Sequence, residues 1–244
     1  MTPSVVDPRV NHLLAALPDA QWQIWRPDLE RVDLPLGKVL HESGDAMTHV
    51  YFPADAIVSL LYVMKSGASA EIAVVGNEGL VGIELFMGGG SMPNRAVVQS
   101  AGCAFRLRAD RMKSGFELGG PVMRLLLLYT QALITQMAQT AVCNRHHSID
   151  QQLCRWLLLS LDRLLGSELV MTQELIANML GVRREGVTEA AARLQRSGII
   201  RYSRGRITVL DRAALERRSC ECYQVVHREY ARLLPGGASF SPVG

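Results

Sequence analysis

The sequence predicts an α+β chain with three parts in order: a β-roll of the jelly-roll type, a long helix and a winged helix-turn-helix. Residues 29–108 consist of short β-branched and aromatic runs separated by turn residues such as Gly37 and Gly44. Residues 122–142 contain no glycine or proline and repeat apolar residues at helical spacing. Residues 173–209 combine two short helical patterns with a following hairpin pattern.

The charge of the chain is distributed unevenly between its two halves. Residues 151–244 contain 14 arginines and no lysine against 9 acidic residues, whereas residues 1–150 contain 12 basic and 14 acidic residues. Guanidinium groups bind phosphates and guanine edges bidentately. The C-terminal half therefore favours a nucleic-acid partner, with a salt-bridged surface as the alternative.

Composition also bears on the compartment in which the chain works. The length of 244 residues suits two domains of ordinary size, and 48% hydrophobic content is typical of a globular protein. The apolar runs are too short for a membrane span, and the N-terminus lacks the pattern of a secretory signal. Five scattered cysteines indicate a reducing compartment. We expect a cytoplasmic protein without a membrane partner.

The N-terminal part is expected to begin with a short helix at residues 8–17, where proline stands near the start of an apolar helical pattern. The strand-like runs then follow between glycine turns, including HVYFP, AIVSLLYVM and SAEIAVVG. Strands this short and this closely spaced favour a β sandwich or barrel.

The long helix carries an extended apolar stripe. One face contains Leu126, Tyr129, Leu133 and Met137, and Leu127, Ile134, Ala138 and Ala141 widen it. Because a small β domain cannot cover so much apolar surface, we predict that this helix packs against its own copy in a homodimer. Burial of the helix within one chain is the alternative. Helices at about 149–165 and 211–234 and an unstructured tail complete the expected elements.

Residues 173–195 have the spacing of a helix-turn-helix. A first helix at about 172–179 contains Ala177, a small residue suited to a close helix crossing, and Gly181 follows at the turn, where positive φ is needed. The second helix, at about 183–196, presents Val187, Ala190 and Leu194 inward.

The segment after the second helix predicts a β-hairpin wing with a turn at Ser203–Gly205. Seven arginines and two glutamates lie between residues 181 and 206. Arginines on the second helix and on a wing can reach a duplex groove and its flanking phosphates. We therefore predict that this unit binds DNA. The candidate contact residues are Arg183, Arg184, Glu185, Thr188, Glu189, Arg193, Ser203, Arg204 and Arg206.

This order of parts resembles the bacterial transcription regulators of the cyclic-AMP receptor protein and fumarate-nitrate regulator (Crp/Fnr) family over about residues 10–215. The most specific stretches are Gly79–Gly82 with Arg95, and MTQELIANMLGVRREGVTEAAARLQRSGII. The resemblance implies that Arg184 contacts guanine or phosphate and that Glu185 accepts from a cytosine amino group. Glu189 stands where the cyclic-AMP receptor group has a second base-reading arginine, so a different half-site is expected. Arg183 replaces the usual capping serine of the second helix.

The resemblance also implies an effector site in the β-roll. Its candidate residues are Gly79, Leu80, Gly82, Arg95 and Ala96. Leu80 occupies the position of the glutamate that binds the ribose in cyclic-nucleotide members, and the segment before Arg95 is longer and contains Gly88–Gly90. Standard cyclic AMP binding is therefore not expected; another small molecule, or a β-roll without ligand, is the alternative. Glu84 could replace the lost carboxylate only if the backbone path differs.

No metal site is predicted, and no cofactor is identified. The iron–sulfur members use an N-terminal cysteine cluster, whereas the first cysteine here is Cys103. Haem has candidate ligands in His41, His49, His146 and His147, without a diagnostic spacing. The zinc candidates Cys143, His146, His147 and Cys154 lack paired CxxC motifs. Cys220 and Cys222 are expected on different faces of the last helix, which argues against a shared metal or a disulfide.

The leading function is a homodimeric, effector-responsive DNA-binding regulator and not an enzyme. The expected partners are double-stranded DNA with two half-sites and a second copy of the chain; RNA polymerase and an unidentified small molecule are further candidates. A cupin-type metalloenzyme using His41, Glu42 and His49 is the rival class, and an adaptor protein is a third. The expected divisions are the sensor domain at 1–118, the dimerisation helix at 119–147, the DNA-binding domain at 148–234 and a flexible tail at 235–244.

Overall fold

The N-terminal part begins with helical turns that close one end of the β-roll. A computed structural model of the chain describes residues 6–164 and 166–235. A 3-10 turn at Pro8–Val10 leads into α1 (His12–Ala15), and α2 (Asp19–Trp25) follows. The expected single helix at 8–17 is thus a 3-10 turn plus one short helix, and α2 was not anticipated. Asn11 caps α1 through its side-chain oxygen, while its amide nitrogen donates to the carbonyls of Pro53 and Gly79.

Seven strands form the β-roll as two antiparallel sheets. Their bounds are β1 (Glu30–Leu34), β2 (Val39–His41), β3 (His49–Pro53), β4 (Ile57–Val63), β5 (Ser69–Val75), β6 (Arg95–Ser100) and β7 (Gly102–Arg108). One sheet has the order β1-β7-β3 and the other has the order β2-β6-β4-β5. A short helix, α3 (Glu84–Met87), lies between β5 and β6. The predicted fold class of a β-roll followed by a winged helix is confirmed.

Two helices with a sharp bend follow the β-roll. Helix α4 (Ala109–Glu117) and helix α5 (Gly120–His146) meet at 111°, and Gly119 and Gly120 both have positive φ at the bend. No single helix in the described parts of the chain combines the length and apolar character of a membrane span; α4 and α5 reach it only as a bent pair.

The described residues of the C-terminal part form a three-stranded wing and five helices. These are α6 (Ile149–Leu161), β8 (Glu168–Val170), α7 (Gln173–Leu180), α8 (Arg184–Arg196), β9 (Ile200–Ser203), β10 (Arg206–Val209), α9 (Arg212–Arg218) and α10 (Glu221–Leu233). The wing sheet has the order β8-β10-β9. The single helix expected at 211–234 is two helices, and the expected tail lies outside the described residues apart from Pro235.

Buried polar contacts join the C-terminal helices to the β-roll. The Gln136 side chain on α5 donates to the Val74 carbonyl and to the Tyr230 hydroxyl, and accepts from the Val74 amide. Two residues after the end of α6, the Arg163 guanidinium lies 2.8 Å from a carboxylate oxygen of Glu78, and both side chains are almost fully buried. The core therefore runs continuously from the β-roll into the C-terminal part.

Candidate nucleic-acid interface

Helix α8 is positioned by the turn that precedes it. Thr172 caps α7 through its hydroxyl, and Gly181 ends α7 with φ +65°, a conformation that glycine adopts without steric cost. The Val182 amide then donates to the Ala177 carbonyl, which closes the turn. Val187, Ala190 and Leu194 are buried, so α8 is fixed by its inner face and presents its other face to solvent.

The outward face of α8 and the wing presents unpaired arginines. Within the part of the chain that the structure describes, no ion pair or side-chain hydrogen bond engages Arg183, Arg184, Arg201 or Arg204. Arg183 is the N-cap residue of α8 and makes no capping hydrogen bond, as the sequence predicted. Glu185 and Glu189 are exposed on the same helix.

Four of the candidate contact residues are engaged within the protein, including Glu189, whose carboxylate lies 3.7 Å from the Arg193 guanidinium. Arg193 binds the Asp150 carboxylate at 2.8 Å at the start of α6, and this hydrogen bond raises the pKa of the Arg193 guanidinium. Arg206 binds Glu168 at 2.5 Å across the wing sheet, and the Thr188 hydroxyl lies 2.7 Å from the Gln173 amide oxygen. Arg193 and Arg206 therefore brace the domain in this structure, whereas the sequence had assigned them to DNA.

The wing closes one side of a cleft beside α8. Ser203 and Arg206 pair across the hairpin, and the turn residues Arg204 and Gly205 both have positive φ, at 50° and 74°. The Tyr202 hydroxyl donates to the Met171 carbonyl, and burial raises the pKa of that hydroxyl. The cleft has a volume of about 300 Å³ and is lined by Thr172, Gln173, Arg184, Tyr202, Ser203, Arg204 and Gly205. Two of the unpaired arginines thus face one concave, cationic surface.

The expected effector residues of the β-roll do not all face one space. The Leu80 side chain is fully buried, and the Leu80 carbonyl accepts a hydrogen bond of 2.7 Å from the Tyr129 hydroxyl on α5. Gly79 lies against the same ring, because a Cβ atom there would stand 2.5 Å from it. Gly82 lies against Val50. Ala96 is buried in β6.

Arg95 and the buried residue His41 each lie beside a carboxylate in the β-roll. The Arg95 guanidinium lies 3.0 Å from the Glu42 carboxylate. Nearby on β2, His41 is buried with Nε2 4.0 Å from Glu84 on α3, and neither ring nitrogen has a hydrogen-bond partner among the described residues. His41 pairs with Ala96 across β2 and β6, one position along β6 from Arg95. The two histidines of the alternative cupin-type metal site are on different sheets, because His41 lies on β2 and His49 lies on β3.

The predicted dimer residues of α5 require a correction. Leu126, Tyr129 and Leu133 are buried inside the chain, where α5 packs on β5 and α10, and Met137 is partly buried. Leu126, Tyr129 and Leu133 therefore have no surface free to contact a second copy, and assigning these three residues to the dimer interface was wrong; for Met137 it stays a prediction. The exposed stripe of α5 consists of the four residues that flank the predicted face, namely Leu127, Ile134, Ala138 and Ala141.

The expectation that Cys220 and Cys222 project from different faces of the last helix was also wrong. Cys220 is the N-cap of α10 with an extended backbone, so the angular separation of two helical residues does not apply to this pair. Both sulfurs lie with the Cys143 sulfur and a ring nitrogen of His147 in a group whose ligand atoms are all within 4.8 Å of one another. The sequence contained one signal for this group: Cys143 and His147 are four residues apart at the end of α5, a spacing that places two side chains on the same side of a helix.

Two family models match the sequence. The Crp-like helix-turn-helix domain matches residues 151–218, and the cyclic nucleotide-binding domain matches residues 31–117. Together they account for more than half of the chain. A search of curated proteins gave no match.

Solved structures share the fold over most of the chain. A protein from Eubacterium rectale described as a crp/fnr-family transcriptional regulator has a TM-score of 0.68 at 19% identity, covering 86% of this chain and 98% of that one. FixK2 from Bradyrhizobium japonicum has a TM-score of 0.66 at 16% identity, covering 79% and 98%. A CRP-family transcriptional regulator from Thermus thermophilus has a TM-score of 0.65 at 18% identity, covering 78% and 96%.

A β-roll, a long helix and a winged helix with an arginine-bearing outer face define a class of DNA-binding transcription regulators, not enzymes. Both domains that characterise one such family are matched in their usual order. The chain belongs to the Crp/Fnr family of transcription regulators.

Proposed function

We propose that the chain is a homodimeric, effector-responsive regulator that works on duplex DNA in the bacterial cytoplasm. Helix α8 enters the major groove with Arg184 and Glu185 directed at base edges, while Arg183 and the wing residue Arg204 contact phosphates. The observation that supports this most strongly is the set of unpaired arginines around the cleft between α8 and the wing. Arg193 and Arg206 keep Asp150 and Glu168 as partners and act by positioning these elements.

The dimer in this proposal is formed through the exposed stripe of α5. Leu127, Ile134 and Ala141 recur every seven residues, and Gln131 and Ala138 lie between them on the same exposed side. A seven-residue repeat of this kind suits a two-helix seam. The proposed divisions remain 1–118 for the sensor, 119–147 for the dimer helix and 148–234 for the DNA-binding part, with RNA polymerase as a further partner if the regulator activates transcription.

The β-roll in this proposal takes a small molecule other than cyclic AMP in the usual mode. Leu80 offers no carboxylate for a ribose, whereas the buried His41 and Glu84 side chains and Arg95 offer polar atoms close to the family's effector position. A ligand that hydrogen-bonds to His41 and Glu84 would satisfy buried polar atoms that have no hydrogen-bond partner among the described residues. Its binding would shift α5, and with it the separation of the two α8 helices.

The DNA-binding role is tested by charge reversal on duplexes selected from a randomised library. Arg184→Glu with Arg204→Glu should reduce affinity by at least about 100-fold, since two contacts are lost and two repulsions added. Arg26→Glu with Lys113→Glu is the matched control, because both residues are exposed, lie outside the DNA-binding part and give the same net charge. Equal losses in the two double variants, or no loss in the first, would show that the interface is assigned to the wrong surface.

A further inference from the structure

The junction between α5 and α10 contains four side chains that carry soft or borderline metal ligands. Cys143 lies in the last turn of α5, and His147 is the residue that ends this helix. Cys220 and Cys222 lie at the start of α10. All three cysteines are buried, and His147 is partly exposed, so the group is enclosed except on the side of the imidazole.

The distances within this group match those of a tetrahedral zinc site. The Cys143 and Cys220 sulfurs are 3.5 Å apart, and the Cys222 sulfur is 3.6 Å from Nδ1 of His147. A tetrahedron with Zn–S bonds of about 2.3 Å and a Zn–N bond of about 2.0–2.1 Å has edges of about 3.8 Å and about 3.6 Å respectively. An ion could enter with only small adjustments of the side chains.

The donor set is chemically specific. Three thiols and one imidazole form the Cys₃His combination that selects zinc over hard cations such as Mg²⁺ or Ca²⁺. The second ring nitrogen of His147, Nε2, lies 3.4 Å from the Glu221 carboxylate. A carboxylate on the far side of a ligating histidine fixes its tautomer and leaves the other nitrogen for the metal.

We propose that Cys143, His147, Cys220 and Cys222 bind one Zn²⁺ ion as a closed structural site. Cys143 and Cys220 are 77 residues apart, and the segment between them contains the helix-turn-helix and the wing. The ion would join the end of α5 to the start of α10 and so fasten both ends of the DNA-binding part together. Four protein ligands leave no position for a reacting water, which makes the site structural and not catalytic.

The first test is the metal content of the full chain purified with a thiol reductant and without chelator. We expect one zinc ion per chain. After removal of zinc, titration with Co²⁺ should give intense thiolate-to-cobalt charge-transfer bands and the visible bands of tetrahedral cobalt, both saturating at one equivalent. Zinc added to the chelated chain should raise its melting temperature, because the ion binds the folded state.

Substitutions separate this group from other cysteines and histidines of the chain. Cys222→Ser and His147→Gln should each lower retained zinc at least about tenfold under competition with a chelator, and His147→Gln should change the cobalt spectrum. His146→Gln and Cys154→Ser are the controls, since His146 is the exposed neighbour and Cys154 is buried outside the group. Retention in the controls shows that loss of metal is specific to the proposed ligands.

Three outcomes would overturn the proposal. These are a wild-type chain with zinc well below one equivalent and no thiolate bands with Co²⁺, equal zinc loss in the controls, and a chain that lacks metal while its mass shows two hydrogens lost to a Cys143–Cys220 disulfide. The last result would identify the group as a redox pair. None of these readouts depends on DNA, so the zinc site and the DNA-binding role can fail independently.

Discussion

At the scale of single residues, Arg204 is held in a backbone conformation that its side chain does not favour. It has φ +50° at the first position of the wing turn, where Asn or Gly is usual. An L-residue with a Cβ atom in the left-handed region costs about 1–2 kcal/mol. An arginine kept at such a position is consistent with a role for its guanidinium in contacting DNA.

Replacing Arg204 should therefore change protein stability and DNA affinity in opposite directions. Arg204→Asn is expected to raise the free energy of unfolding by up to about 1 kcal/mol, because asparagine tolerates this conformation better, while DNA affinity falls. Urea unfolding and a binding titration measure the two effects. Arg201→Asn, in the extended strand β9, is the control and should give no gain in stability. A loss of stability in Arg204→Asn would contradict the argument from strain.

Glu71 on β5 is the second residue with an unusual environment. Burial raises the pKa of its carboxyl from 4.5 to about 7, against the opposing effects of the Ser59 hydroxyl and the Arg155 and Arg163 guanidinium groups. The Ser59 oxygen lies 2.5 Å from Glu71 and 2.8 Å from the Gln99 amide oxygen. The single Ser59 hydroxyl proton cannot be donated to both oxygens. If Glu71 is protonated, its carboxyl donates to the Ser59 oxygen and the Ser59 hydroxyl donates to Gln99, so both contacts are hydrogen bonds.

This environment predicts a pH dependence of stability. Between pH 4.5 and about 7 the folded state keeps a proton on Glu71 that the unfolded state has lost, so the free energy of unfolding falls as pH rises, by up to about 3 kcal/mol. Glu71→Gln should remove this fall, whereas Glu174→Gln, at an exposed position, should keep it. Unfolding curves across this pH range measure the difference. Parallel pH profiles of wild type and Glu71→Gln would contradict the prediction.

At the scale of elements, the exposed stripe of α5 is the proposed dimer seam. Ile134 is 55% exposed in the single chain, and a glutamate there would place two like charges in the seam of a dimer. Ile134→Glu should therefore give monomers at micromolar concentration in sedimentation experiments. Ile24→Glu is a matched control, because Ile24 on α2 is 51% exposed and lies outside the seam. A dimeric Ile134→Glu variant would locate the interface elsewhere.

The elements also show how far the sequence alone could lead. The β-roll, the long helix, the helix-turn-helix and the wing were predictable, because glycine turns, helical periodicity and the Gly181 turn are local signals. The face of α5 that packs inside the chain was not predictable. An apolar helix has the same sequence pattern whether Leu126 and Leu133 pack on β5 of the same chain or on a second copy. Pairings between distant elements were equally hidden, including Arg193 with Asp150 and the cysteine group, which joins α5 to α10 across 77 residues.

At the scale of the whole molecule, a buried ion pair connects the β-roll to the C-terminal part. The Arg163 guanidinium on the α6 side meets Glu78, which follows β5, and a Cβ atom on Gly76 would stand 2.7 Å from the Arg163 side chain. The Arg163 guanidinium also lies 5.9 Å from the Tyr230 ring on α10. The pair therefore connects the segment after β5 to the helices that support α8.

Removing one partner of this pair should be costly. Glu78→Gln removes the nearest negative charge of a buried guanidinium and is expected to lower the free energy of unfolding by about 3–5 kcal/mol. The control is Glu30→Gln, which breaks the exposed pair with Arg106 at 2.7 Å and should change stability little. Urea unfolding compares the two variants. Equal effects would show that the buried Glu78 pair contributes no more to stability than the exposed Glu30 pair.

The most direct measurement of the central claim, that two copies of α8 read duplex DNA together, is a hydroxyl-radical footprint on a selected duplex. We expect two protected regions whose centres lie one helical turn, about 34 Å or 10–10.5 base pairs, or a whole number of turns apart on one face of the DNA. Both should disappear in Arg184→Glu with Arg204→Glu and persist in Arg26→Glu with Lys113→Glu. A single protected half-site, or protection that survives the first double variant, would contradict it.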